Sequence, residues 1–324
     1  MSNEQQQVKL KELENNVRIS GILKEVNLEI KPNKKEPNIK QIMGNIVVMV
    51  EDPTKKVVNE HEINLFAKES SKLFKGYVTV MNEYKAADVV GKENADLVTV
   101  QGSLDENKYL GSDGIVKQFN RIRGLFVNRV EALEKHEALA QMEVVVQGIT
   151  PNEIIVDGVP QQNGELKLNV LTVGYNNTVN KIHDIIVPTN LANTIQQAYM
   201  QGSTGKLTFE IQNYVELVET KPDPLAEQGG FGMQVDLGGA VKKYNRKLLV
   251  VGGFPPYYDE RAMSEDDIRF MNQIRNLEID NIKNTVPATP QVNTGVGGFG
   301  INNPDPFAAG NNGPINISED DLPF

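Results

Sequence analysis

Apolar and polar residues alternate from Val17 onward, which predicts β-strands with one buried face. The alternation runs from Val17 to Leu23 and resumes at Val26, shifted by one position. A shift of one residue predicts a β-bulge in a long, curved strand. Two more strands are predicted over residues 42–50 and 62–67.

The apolar period changes from two residues to three or four after the third strand. Ser70 and Ser71 can cap a helix. The apolar residues that follow them share one helical face: Leu73, Tyr77 and Met81. We therefore predict an α-helix at this position.

Alternation returns over residues 97–104, and Asp113-Gly114 is typical of a tight hairpin turn. A long strand is predicted to follow over residues 116–130. Three strands, one helix and two strands follow the order of an OB-fold, a small Greek-key barrel of five strands. We predict one such barrel over residues 17–135.

The second half of the chain repeats this order. Its predicted strands cover five segments: residues 142–149, 166–173, 182–187, 207–218 and 241–251. A helix that opens at Pro188 separates the third strand from the fourth, and turns are predicted at Asp157-Gly158 and Asn163-Gly164. We predict a second, diverged OB-fold barrel over residues 140–258.

Less regular segments surround the two barrels. Residues 1–16 form a polar N-terminal arm, predicted as a frayed helix or a disordered segment, and residues 131–140 are predicted as a short helical connector. Residues 219–239 contain Gly and Pro and are expected to project from the second barrel as an insertion. An amphipathic helix over residues 262–283, capped at Ser264, is expected to fold onto the second barrel or to pair with another subunit.

Composition limits the classes of protein that the chain can represent. It has 324 residues, of which 39% are hydrophobic, and a formal net charge of −10. The length favours about two domains, and an acidic average is compatible with nucleic-acid binding because a cationic surface needs only a local cluster. The lack of Cys excludes disulfides and thiolate metal sites. The N-terminus lacks a basic and apolar leader, and no apolar run is long enough to span a bilayer, so we expect a cytoplasmic protein without membrane partners.

Catalytic chemistry has little support in the sequence. His61, His136 and His183 show no metal-ligand spacing. Residues 202–206 resemble a phosphate-binding loop only superficially, because Leu207 stands where a Ser or Thr would bind magnesium. We therefore predict no enzyme activity, no metal site and no cofactor.

Aromatic and basic residues interleave in both halves, which is typical of surfaces that stack bases and follow phosphates. The candidate binding residues of the first half are Lys34, Lys35, Phe66, Phe74, Tyr109, Lys117, Phe119, Arg121 and Arg123. Those of the second half are Tyr175, Tyr214, Phe231, Lys242, Lys243, Tyr244 and Arg246. The odd-numbered candidates from 117 to 123 share one face of a regular strand. Because this face carries three cations and one Phe, we expect it to be exposed to solvent and not buried in the core. By contrast, we expect Tyr77, Tyr199 and Phe209 to be core residues.

The C-terminus combines an acidic run with an apolar end: Ser318, Glu319, Asp320, Asp321, Leu322, Pro323 and Phe324. It follows a segment rich in Gly, Asn and Pro, from residue 284, that contains no Lys or Arg before the tip and is predicted to be a disordered linker. A partner's pocket could take the Phe324 ring while a basic residue binds the terminal carboxylate. An acidic tail that only solubilises the protein is the alternative interpretation.

This ending resembles the C-terminal tip of bacterial and phage single-stranded DNA-binding proteins, in which acidic residues precede Ile/Leu-Pro-Phe. The segment Asp96–Leu104, in which an apolar run enters Gly-x-Leu, resembles the fourth strand of the same proteins. The resemblance implies an OB-fold, in agreement with the order of the predicted elements. We therefore predict a mainly β protein with tandem OB-fold barrels, a C-terminal helix and a disordered, acidic-tipped tail over residues 284–324. The chain departs from the usual bacterial form in having two barrels and no Trp, so Phe and Tyr would have to stack the bases.

The resemblance also implies a function: coating single-stranded DNA in replication, recombination or repair, and recruiting enzymes through residues 319–324. The length and divergence are compatible with a phage or mobile-element version, which would act in the host cytoplasm. Two chains would supply four barrels, so a homodimer stays open. Two other interpretations stay open as well: a structural or scaffold protein with a solubilising tail, and an RNA-binding OB-fold protein.

Overall fold

The computed structural model describes residues 9–156, 158–219 and 240–284. These residues are mainly β and contain ten strands and four α-helices. The first half contains β1 (Asn15–Pro32), β2 (Lys40–Asp52), β3 (Val57–Lys68), α1 (Lys72–Glu83), α2 (Ala87–Val90), β4 (Leu97–Leu110) and β5 (Val116–Val130). The second half contains β6 (Glu137–Val156), β7 (Val159–Val173), β8 (Val179–Val187), α3 (Thr189–Ala198), β9 (Thr204–Glu219), β10 (Ala240–Gly253) and α4 (Glu265–Asn284).

Each half closes into a five-stranded barrel with the same connectivity. Hydrogen-bonded neighbours follow the order β1-β2-β3-β5-β4-β1 in the first barrel and β6-β7-β8-β10-β9-β6 in the second. All of these pairings are antiparallel except that between the third and fifth strands of each barrel, where Ile63 pairs with Ile122 and Ile185 with Leu248. This is the connectivity of the OB-fold. The prediction of tandem OB-fold barrels is confirmed.

The predicted bulge in the first strand and the predicted helix after the third are both confirmed. The register of β1 with β2 shifts at Leu23, so β1 bends and pairs with β2 along one half and with β4 along the other. α1 begins after Ser71, whose Oγ accepts a hydrogen bond from the Leu73 N–H at 3.2 Å. Tyr77 is buried as expected, and its hydroxyl donates to two carbonyl groups of β5.

β1 joins the two barrels into one continuous sheet. Its first residues pair with β6, from Asn15 opposite Met142 to Ser20 opposite Glu137. Buried side chains of both barrels therefore belong to a single hydrophobic cluster. The predicted helical connector over residues 131–140 is wrong, because β6 already begins within it to make this pairing.

Two other local predictions differ from the structure. Asn163-Gly164 lies inside β7 instead of in a turn, at a point where the pairing with β6 shifts register. Residues 9–14 of the N-terminal arm are not frayed, because Leu10 and Leu13 are buried in a second hydrophobic cluster and the Leu13 N–H donates to a β7 carbonyl at 2.8 Å.

α4 packs on both barrels. Ser264 caps it as predicted, through two hydrogen bonds with Asp267, each 3.1 Å long. Met271 is buried beside residues of β6 and β7 in the second barrel, whereas Arg275 binds Glu106 of the first barrel. The helix therefore contacts both barrels, whereas the sequence predicted contact with the second barrel or with another subunit.

The last hairpin of each barrel extends beyond its barrel towards the other one. We call residues 106–120, the end of the β4–β5 hairpin, the first arm. We call the described residues of 213–246, the end of the β9–β10 hairpin, the second arm. The two arms are equivalent in connectivity because each joins the fourth and fifth strands of its barrel.

Equivalent hydrogen bonds attach each arm to the third strand of the opposite barrel. The Glu106 N–H donates to Oδ1 of the buried Asn180 in β8 at 3.4 Å. The Asn213 N–H donates to Oδ1 of the buried Asn59 in β3 at 2.9 Å. Each arm therefore contacts the opposite barrel through an equivalent hydrogen bond. These bonds fix the position of each arm on the barrel that it contacts.

Candidate nucleic-acid interface

A cleft of about 280 Å³ opens on the outer face of the first barrel, between β2, β3 and β5. Even-numbered residues of β3 and odd-numbered residues of β5 point outward here, because successive side chains of a strand alternate between faces. The parallel pairing of Asn64 with Arg123 places these two rows side by side. The cleft is lined by Met43, Gly44, Asn64, Leu65, Phe66, Arg121 and Arg123.

Phe66 supplies the aromatic side of the cleft. It is 45% exposed and lies directly across from Met43 of β2. A Phe at an outward strand position is only partly packed, so a ring face is available to a ligand. Stacking of a base on such a ring contributes about 1–3 kcal/mol.

Arg121 and Arg123 supply the positive charge. Arg123 is exposed and forms no hydrogen bond or ion pair with the described residues. Arg121 contacts only Oδ1 of Asn107 at 3.4 Å, and its buried Nε has no hydrogen-bond partner in the described part of the chain. Buried polar atoms are normally satisfied, so these guanidinium groups are well placed for an added acceptor such as a phosphate.

The remaining candidates of β4 and β5 lie on the same outward face, on the first arm. Phe119 packs edge-on against Tyr109, with ring centroids 6.1 Å apart. Lys117 forms an ion pair with Asp113, at 2.5 Å between Nζ and Oδ2, which raises the pKa of the lysine. The Lys117 charge is thus already compensated, unlike the charges of the two arginines.

The second arm presents a separate aromatic and cationic surface. Tyr244 is 68% exposed and lies directly across from the exposed Val215. Lys242 and Arg246 are exposed on the same face, whereas the exposed Lys243 lies on the opposite face of β10. Arg246 donates from Nε to Oδ1 of Asn213 at 3.1 Å, which positions the guanidinium at the base of the arm.

The other described candidates do not line the cleft or the second-arm face at Tyr244. Phe74 packs against the core, and Tyr214 lies on the opposite face of β9 from Val215. Lys34 and Lys35 are exposed in the loop between β1 and β2, and Tyr175 is exposed at the turn before β8. Phe231 and the tip residues 319–324 lie outside the described residues.

A buried charge cluster at Glu106 has no signal in the sequence, because its members come from three separate elements. The Glu106 carboxylate accepts hydrogen bonds from both terminal guanidinium nitrogens of Arg275, from the Lys181 N–H at 2.8 Å, and contacts His183 Nε2 at 2.8 Å. Although burial opposes ionisation, these donors lower the pKa of Glu106 to about 2. The cluster fastens β4, β8 and α4 together and so fixes the first arm.

Within the described ranges, no group of three or more His, Cys, Asp or Glu side chains is placed to hold a metal ion. None of the helices described is both long and apolar enough to cross a membrane.

Two closed five-stranded barrels with this connectivity define a tandem OB-fold protein. The family model described as YorF matches residues 14–285, and the chain belongs to this family. No curated protein sequence matches the chain.

Two solved structures with a distant likeness are both of the single-stranded DNA-binding protein from Thermus aquaticus. The wild-type form is 10% identical with a TM-score of 0.49, and covers 79% of this chain and 99% of its own. A deletion mutant is 11% identical with a TM-score of 0.46, and covers 76% of this chain and 97% of its own. The likeness is too distant to transfer a function.

Proposed function

We propose that this protein binds single-stranded DNA through the cleft of the first barrel and the exposed face of the second arm. The observation that carries the proposal is the meeting of a half-exposed Phe66 with Arg121 and Arg123, two guanidinium groups that form no ion pair with the described residues, in one cleft. A stacking ring beside phosphate-binding cations is the combination that sequence-tolerant binding of a single strand requires.

The charge distribution supports the same function. The chain carries a formal net charge of −10, so the protein as a whole repels nucleic acid, and binding must be local. A single strand can bring one stretch of its backbone to Arg123 while its bases leave the stack to reach Phe66. A duplex keeps its bases stacked inside and cannot use Phe66 in this way.

We further propose that the protein coats exposed strands in the cytoplasm during replication, recombination or repair, and that residues 319–324 recruit partner enzymes. The acidic residues would speed the encounter with a basic partner, while the Phe324 ring and the terminal carboxylate would set the dissociation rate. The two barrels, which we assign to residues 17–135 and 140–258, would bind DNA, and residues 284–324 would present the tip at a distance.

A gel shift with one unstructured sequence, prepared as single-stranded DNA, as RNA and as a duplex, tests the proposal. We expect single-stranded DNA to bind most tightly, and we expect the variant Phe66→Ala to bind it less tightly. If RNA binds most tightly, the protein is an RNA-binding OB-fold protein. If none of the three shifts, the scaffold interpretation replaces the proposal.

A further inference from the structure

We propose that one strand binds this protein at two separate stations, the cleft at Phe66 and the second-arm face at Tyr244, and crosses an acidic gap between them without contact. This inference rests on the proposed function and adds a binding mode to it. Four observations carry it: the residues that replace the cleft on the second barrel, the open face of the second arm, the direction of that face, and the charges along β3.

The described residues of the second barrel do not reproduce the cleft. The parallel pairs Ile63–Ile122 and Ile185–Leu248 are equivalent, and the barrels can be compared residue by residue from them. By this comparison, Phe66, Arg121 and Arg123 correspond to Pro188, Lys247 and Leu249. The second barrel therefore keeps one cation at these positions, but it has no aromatic ring and no second cation there.

The second arm is open where the first arm is covered. Lys108 and Gln118 pair across the first arm and both contact α4, through Glu278 and Arg275 respectively. On the second arm, Asn213 and Arg246 form the pair that corresponds to Glu106 and Asn120. The next pair on the same face, Val215 and Tyr244, therefore corresponds to Lys108 and Gln118. No described helix covers these two residues, which are 47% and 68% exposed. A ligand can thus occupy on the second arm the place that α4 occupies on the first.

The open face of the second arm is directed towards the cleft. The arm crosses β3 at Asn59 and Glu60, where Asn213 donates from its backbone N–H and its side-chain amide. The opposite face of β9 carries Glu210, which binds Lys55 at 3.0 Å in the turn before β3. Because the face of β9 that carries Glu210 contacts that turn, the opposite face, which carries Val215 and its partner Tyr244, points away from the turn and along β3 towards Phe66.

The β3 surface between the two stations is acidic. Its outward residues after Asn64 are Glu62 and Glu60. Glu62 accepts a hydrogen bond from the Asn45 amide at 2.9 Å, and Glu60 forms an ion pair with Lys24 at 2.9 Å. One cation against two carboxylates leaves the gap negative, so phosphates are repelled from it. From Asn64, which still lines the cleft, to Glu60 the gap measures roughly 13 Å at about 3.3 Å per residue.

The repulsive gap can be tested with an oligonucleotide in which a neutral linker replaces the central nucleotides. At the stacked spacing of about 3.4 Å per nucleotide, roughly 13 Å corresponds to about four nucleotides, and to fewer if the strand is stretched. An oligothymidylate in which a neutral oligoethylene glycol linker replaces about four central nucleotides should keep both stations and lose the repelled phosphates. We expect the full-length protein to bind this probe at least as tightly as the unbroken oligonucleotide of the same span.

Variants and short probes complete the experiment. Tyr244→Ala should weaken binding of the linker probe about tenfold or more, the loss of one stacked base, whereas Tyr258→Ala, at an exposed tyrosine outside both stations, should not. Replacing Glu60 and Glu62 by Gln should tighten binding of the unbroken strand and leave the linker probe unchanged. Circular dichroism of each variant checks the fold.

The outcomes separate the inference from the proposed function. If the linker probe binds no better than one of its thymidylate blocks alone, while the unbroken strand binds tightly, the two-station inference is wrong and single-strand binding stands. If Tyr244→Ala leaves all probes unaffected, the second station does not exist. If no single-stranded probe binds the wild-type protein, both the inference and the proposed function are wrong.

Discussion

Arg275 of α4 binds both carboxylate oxygens of Glu106 in β4, although the two residues are 169 positions apart in the chain. Both side chains are buried, and Glu106 is fully inaccessible. The pair attaches the helix that follows the second barrel to the arm of the first barrel. Because His183 and Lys181 of β8 contact the same carboxylate, one residue connects three elements of the structure.

Breaking this pair should destabilise the protein strongly. Glu106→Gln leaves Arg275 buried without a counter-charge, and breaking a buried pair in this way costs about 3–5 kcal/mol. Chemical denaturation should show that loss in the free energy of unfolding. The matched control is Asp266→Asn, which removes an exposed ion pair with Arg269 and should cost less than about 1 kcal/mol. Equal effects of the two variants would contradict the role given to Glu106.

Stability should fall below neutral pH because of His61. This residue is buried and neither ring nitrogen has a hydrogen-bond partner among the described residues, so burial lowers its pKa from 6.5 to about 4. The unfolded chain binds a proton below pH 6.5 and the folded protein does not until about pH 4. The free energy of unfolding should therefore decrease by about 3 kcal/mol as the pH falls from 6.5 to about 4.

The variant His61→Met isolates this effect. It removes the titrating group and the unsatisfied nitrogens while keeping an apolar side chain in the core. Unfolding curves at several pH values above 4.5 should show a flatter pH dependence for the variant, in a range where the pKa of Glu106, lowered to about 2, has little influence. Parallel curves for the two proteins would mean that His61 is protonated in the fold.

Phe66→Ala should weaken single-strand binding without unfolding the protein. The missing stacking interaction is worth about 1–3 kcal/mol, which is roughly a 5- to 150-fold rise in the dissociation constant. The melting temperature should change little because the side chain is 45% exposed. Phe126→Ala, an equally exposed Phe of β5 outside the cleft, is the control and should bind normally. Fluorescence titration with labelled oligothymidylate measures both variants.

The salt dependence of binding should locate the bound phosphates. Arg121→Gln and Arg123→Gln should each reduce the slope of log affinity against log salt by about 0.7 for every phosphate that the variant no longer neutralises. Lys117→Gln should reduce it less, because Asp113 already compensates that lysine. A slope that is unchanged in both arginine variants would place the phosphates elsewhere.

Removing Leu322, Pro323 and Phe324 should abolish capture of replication or repair enzymes and leave DNA affinity intact. Pro323 restricts the backbone before Phe324, so less entropy is lost when the ring enters a pocket. Pull-down from a lysate, followed by a DNA titration of the same truncated protein, measures both properties. Capture of the same enzymes by the truncated and complete chains would leave the tail with a solubilising role only.

Local pattern was sufficient for the five strands of each barrel, for a helix between the third and fourth strands, and for their order. The alternation from Val17, the one-residue slip at Leu23 and the helical spacing behind Ser71 each follow from how side chains project from a strand or a helix. The OB-fold order could be read from these elements because each barrel is built from consecutive segments. The outward face shared by Phe119, Arg121 and Arg123 was also predictable, since it needs only a regular strand.

Tertiary structure alone decided which of those residues act together. Phe66 and Arg123 meet because β3 and β5 pair in parallel, a pairing that no spacing in the sequence expresses. In the same way, the helical pattern of α4 predicts a buried face but not that Arg275 would select Glu106 of the other barrel. Long-range pairing between distant segments depends on how the barrels pack, whereas strand and helix periods depend only on neighbours in the chain.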